Sequence, residues 1–168
     1  MDIKSDNITE VLFDVFQEKD DHFSWEKHIE FAGRYPGLTK AQRKKVEASL
    51  KFLQQELGNS FLKVSDRNHP LFRRVSEKAP WRAKELIEFV ETLQAIKQTE
   101  GNYSKLRSKL VSKHECETEA IPFTDISAMF LRSGFTVKIL DEIQGQTNPD
   151  MLITHKSSGQ QFYIEVSK

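Results

Sequence analysis

Asn148-Pro149-Asp150-Met151-Leu152-Ile153-Thr154-His155-Lys156-Ser157-Ser158-Gly159-Gln160-Gln161-Phe162-Tyr163-Ile164-Glu165-Val166-Ser167-Lys168 is the stretch whose reading decides the fold. Met151 to Thr154 and Phe162 to Val166 are strand-length runs of apolar, β-branched and aromatic residues, parted by the polar Lys156-Ser157-Ser158-Gly159. A short turn containing glycine between two such runs predicts an antiparallel hairpin. Asp150 opens the first strand and Glu165 lies near the end of the second, so a hairpin brings both acids toward one end. Magnesium prefers hard oxygen ligands and keeps several waters, so one or two carboxylates suffice to hold it on a phosphate. The plainer alternative is that Pro-Asp is turn chemistry and that Glu165, alternating with Ile164 and Val166, lies on the solvent face of a sheet.

Upstream, Phe135-Thr136-Val137-Lys138-Ile139 alternates at period two and predicts another strand, followed by a polar turn at Gln144 to Asn148. Pro122 to Arg132 reads as a helix with Phe123, Ile126 and Phe130 on one face, stopped by Ser133-Gly134. Residues 1–113 read as helices with short breaks. Ser24 and Thr39 stand as N-caps, Gly58 as a stop, and Pro80 in a first turn. Val46, Leu50, Leu53 and Leu57 form one stripe, and Leu86, Phe89, Val90, Leu93 and Ile96 form the clearest amphipathic face. The expectation is an α+β chain: a mainly helical region, 1–113, then a small α/β unit, 114–168, with a short mixed or antiparallel sheet.

Helix, Gly134-Phe135, strand, Pro149-Asp150, hairpin and Ile164-Glu165-Val166 resemble, in that order, the core of the PD-(D/E)xK nuclease superfamily, over about a third of the chain. The resemblance implies a restriction-endonuclease-like unit that hydrolyses DNA phosphodiester bonds with Mg2+ or Mn2+. It implies that Asp150 and Glu165 hold the metal, that the Val166 backbone carbonyl adds a ligand, and that a lysine completes the site. Many members add an acid from the preceding helix, for which Glu119 is the first candidate and Asp125 the second. The family places its lysine two residues after the glutamate, and here that residue is Ser167. Lys168, one further on, faces the other way unless a bulge re-aims it. The fold also normally continues with a further helix and strand beyond the position of Lys168. The rival expectation is a nuclease-like module that binds a partner or DNA without cutting, or a piece of a larger nuclease.

Composition narrows the classes. Lysine plus arginine and aspartate plus glutamate each total 25, so no net field draws the chain to nucleic acid or to an anionic membrane. A local basic groove is still enough for a nuclease, and Lys105, Arg107, Lys109 and Lys113 beside Tyr103 are the candidate DNA contacts. The same residues read more plainly as solvated helix faces. Cys116 is the single cysteine, which excludes an intramolecular disulfide; no signal-like or membrane-length apolar run occurs, and a cytoplasmic location is expected. His114 and Cys116 supply only two soft ligands, too few for zinc, and His22 and His28 lie six apart without further partners. There is no glycine-rich phosphate loop, Gly-x-Ser-x-Gly elbow or His-Glu-x-x-His. A strand at Phe162 to Val166 presenting an edge also predicts a possible homodimer.

Overall fold

Capping residues start the helices where the sequence puts them. In the computed structural model, which describes residues 5–141 and 149–166, the Ser24 side chain accepts from the Lys27 amide at the start of α2 (Trp25–Arg34). Thr39 and Gln42 close a reciprocal capping box on α3 (Lys40–Leu57). Gly58 ends α3 at φ 91°, a conformation open to glycine and strained for other residues. Its carbonyl accepts from Nε1 of Trp25 at 3.2 Å, which ties the C-terminal end of α3 back to the start of α2.

The chain forms two compact units, Met1–Val90 and Glu91–Lys168. The first contains α1 (Ser5–Val15), a 3-10 turn (Lys19–Phe23), α2, α3, α4 (Phe61–Val64), α5 (Pro70–Ser76) and the start of α6 (Pro80–Lys97). Its core is aromatic and leucine-rich: Trp25, Phe31, Leu50, Leu53, Phe61, Leu62 and Leu71 are all essentially inaccessible. Burying a side chain of this size contributes about 1.5–3 kcal/mol, which outweighs the weak propensity of short helices such as α4.

The second unit contains the end of α6, then α7 (Tyr103–Val111), α8 (Lys113–Glu115), a π-helical turn (Cys116–Ala120) and α9 (Ile121–Arg132). A sheet of β1 (Phe135–Ile139), β2 (Met151–His155) and β3 (Gln161–Ile164) follows, in that spatial order and antiparallel throughout. Val137 pairs with Ile153, and Ile139 with Met151. These four are buried while their neighbours alternate outward, the period-two pattern read from the sequence. The protein is therefore α+β, mainly helical with a small antiparallel sheet at its C-terminal end. The polar turn read at Gln144 to Asn148 lies outside the described residues. Among the described residues no helix is long and apolar enough to cross a membrane.

Candidate active site

The second unit carries a half-open cavity of about 500 Å3. Leu106, Phe123, Ile139 and Val166 give it apolar walls, while Asp150, Glu117 and Glu119 bring carboxylates and Lys105 and Lys109 bring ammonium groups. Three acids against two lysines leave one negative charge in excess, a balance that favours a cation. Lys109 Nζ and Glu119 Oε2 form an ion pair of 2.5 Å, both side chains about one-fifth exposed.

Each wall has a local cause. Lys105 and Lys109 lie four residues apart on α7, so they share a face with Leu106 between them. Asn102 caps α7 by accepting from the Lys105 amide, and its side-chain amide donates to Asp141 at 2.6 Å. Just before it, Gly101 runs so close to β1 that a Cβ there would come within 2.9 Å of the Ile139 backbone nitrogen and oxygen. Thr99 adds a bond from its hydroxyl to the Val137 carbonyl at 2.9 Å. The start of α7 is thereby fixed on the end of β1, beside Ile139.

The π-helical turn sets the acids. Proline at 122 has no N–H to give to the carbonyl of Thr118, and its ring would crowd that carbonyl. Instead the Ile121 amide donates to the carbonyl of Cys116, a wider turn. Glu117, Thr118, Glu119 and Ala120, all within this turn, line the cavity. π-Turns of this kind are frequent at functional sites.

Asp150 occupies a bend immediately before β2. Its amide donates to the Ile164 carbonyl at 2.9 Å, and its Oδ2 accepts from the Val166 amide at 2.7 Å. The carboxylate is thus locked across the mouth of the hairpin and held at the cavity. Glu165 is placed differently. It is exposed and does not line the cavity, because the strand alternation that turns Ile164 and Val166 inward turns it out. Asp125 is also exposed on α9. Val166 contributes its amide to Asp150. Ser167 and Lys168 lie outside the described residues.

Of the residues expected to bind metal, Asp150, Glu119 and Val166 come together at one cavity, and Glu165 does not join them. Among the described residues no group of three or more histidine, cysteine or acidic side chains is gathered closely enough to hold a metal ion. The hard-oxygen side chains at the cavity are Asp150, whose Oδ2 accepts from the Val166 amide, Glu117, and Glu119, which is engaged by Lys109. The sequence reading singled out Lys105 and Lys109 as DNA contacts and missed them as cavity walls. Their spacing of four, with Leu106 beside them, is the signal that marks an amphipathic face turned toward an interior space. No family model, no curated protein and no solved structure matches this chain.

Proposed function

We propose that residues 91–168 carry a nuclease-type site that hydrolyses phosphodiester bonds in DNA with Mg2+ or Mn2+, centred on Asp150. The observation that carries this reading is that Asp150 and Glu119 line one cavity together with Lys105 and Lys109. The antiparallel hairpin with an acid at its mouth, preceded by a helix and a strand, supports it in the way the resemblance would require. A divalent ion bound by Asp150 and Glu119 would polarise a phosphoryl oxygen and lower the pKa of a bound water. The chain's own part is to position. The Val166 amide orients the Asp150 carboxylate, Lys109 holds Glu119 at the wall, and Lys105 offers an ammonium to a phosphate oxygen. With Ser167 at the family's lysine position, α7 supplies the positive charge instead.

The test is cleavage of plasmid and single-stranded DNA in Mg2+ and in Mn2+, by the whole chain and by Asp150→Asn. Expected is metal-dependent cleavage that falls by about 100-fold or more in the variant, the scale of losing an electrostatic group at a reacting centre. Absence of cleavage with both metals, from a folded sample, overturns it. One observation favours a second reading: Glu165 is exposed and outside the cavity. On that reading the unit is a nuclease-like module that binds DNA or a partner without cutting, and it retains DNA binding while no metal restores cleavage.

A further inference from the structure

The unit of residues 1–90 holds a buried basic cluster that the proposed site does not use. Lys78 is 8% exposed and His28 wholly buried. Lys78 Nζ lies 2.6 Å from His28 Nδ1 and donates to the Val75 carbonyl at 2.7 Å. The Phe16 and Phe31 ring centres stand 5.3 and 5.0 Å from the same nitrogen, within reach of a cation–π attraction. On the far side of the imidazole, Nε2 lies 2.8 Å from the His22 carbonyl oxygen. A carbonyl only accepts, so Nε2 carries the proton and Nδ1 must accept from Lys78.

Among the described residues no carboxylate is bonded to the lysine. Asp21, on the 3-10 turn, is paired with Lys27 at 3.7 Å, and Glu77 with Arg82 at 2.6 Å and Arg73 at 3.6 Å. The other charged or titratable neighbours are the basic His22, Arg67, Arg74 and Arg82, and the Tyr35 phenol, which donates to the Ala79 carbonyl and is kept neutral by burial. Burial pushes the Lys78 ammonium down to about 7. Burial first, and the Lys78 charge second, hold His28 well below the usual imidazole range.

We propose that Lys78 and His28 form a proton-sensitive clasp, which fastens the segment from Phe16 to Phe23 onto α2 and releases it as the pH falls. The 3-10 turn in that segment has no fully buried residue. On the α2 side it is held through His22, whose carbonyl accepts from His28 and whose ring stacks on Phe16 at 4.7 Å and 11°, while Phe23 packs on Phe72 of α5. A proton added at His28 Nδ1 sets N–H against N–H across the 2.6 Å contact and places a second positive charge among aromatic rings. Release lets water reach both groups. The sign follows from linkage: the open form binds Lys78's proton below about 10.4, whereas the closed form resists it down to about 7. Closure is therefore strongest at alkaline pH and weakens by about tenfold per pH unit down to neutrality. His28 extends the loss below about pH 6.5, its ordinary imidazole range.

The test is amide hydrogen exchange of the whole chain at pH 6 and pH 8, corrected for intrinsic rates, with α3 as internal reference. Expected is an opening constant for residues 16–23 at least about tenfold larger at pH 6, and a pH response reduced to about fourfold, the share left by His28, in Lys78→Met. Equal opening at the two pH values, or an undiminished response in Lys78→Met, overturns the clasp. Should that variant not fold, ring-nitrogen NMR of wild-type His28 decides the same point. A single Nε2-protonated tautomer at pH 8, lost together with segment protection on acidification, supports it. Titration like a solvated imidazole, with protection unchanged, refutes it.

Discussion

Two lysines, Lys78 in the first unit and Lys109 in the second, meet opposite surroundings. Lys109 is partly exposed and bonded to a carboxylate, Glu119, at the wall of a cavity. Lys78 is buried against a neutral imidazole, a carbonyl and two phenyl rings, with no acid among the described residues bonded to it. The first arrangement keeps a charge where a ligand can use it. The second withdraws a charge from water without replacing its counter-ion, so the structure around it becomes sensitive to protons. A basic residue's role is set by what accepts its hydrogen bonds rather than by its presence in the sequence.

Phe31→Ala attacks the lysine cage most directly, and should cost the first unit about 3–5 kcal/mol, the usual range for emptying a buried phenylalanine site. Both tryptophans, Trp25 and Trp81, belong to residues 1–90, so urea unfolding followed by fluorescence, with the buried Trp25 as the main reporter, reads this unit. A loss near zero would mean that the ring does not enclose the lysine. Gly101→Val tests the other side of the comparison. It forces a side chain against the Ile139 backbone and should cost the second unit about 1–3 kcal/mol. Faster amide exchange along Phe135–Ile139 would register it, and unchanged exchange would show that α7 is not fixed there. The smallest effect sharpens the contrast in sign. At pH 7 Lys109→Met should cost about 1 kcal/mol, as for a partly exposed ion pair, whereas Lys78→Met should raise the melting temperature. Lys78's gain should vanish above about pH 10.4, where the unfolded chain's lysine is neutral too. Two changes of the same sign would erase the distinction.

Local pattern carried much of this structure and stopped at its contacts. The stripes along α3 and α6, the caps at Ser24 and Thr39, and the alternation of Phe135–Ile139 depend on neighbours within a few residues, and all are found in place. Asp150 was legible as a strand-opening acid, because Pro-Asp before an apolar run leaves few other conformations. Glu165 was not, since period two says that Glu165 and Val166 face opposite ways but not which face adjoins a cavity. Glu119 was assigned by α-helical spacing, yet it reaches the cavity through a π-turn. The cause, Pro122, is visible in the sequence, but its effect on the preceding residues is not. The Lys78–His28 contact spans fifty residues and leaves no local trace. His28 was read only beside His22, six residues earlier, because its other partner is a lysine, a residue type that interiors rarely accept.

The wide turn at Cys116–Ala120 has a consequence for any redesign of this chain. It holds one residue more than an α-helix would, so removing Thr118 restores regular spacing and acts as a rotation of about 100° rather than as a loss of material. Glu117 and Glu119 would then be consecutive, about 100° apart on the helix, and Glu117 would shift against Phe123 and the rest of α9, which kept their phase. The turn works as a gear, and one residue of length resets where the first acid stands.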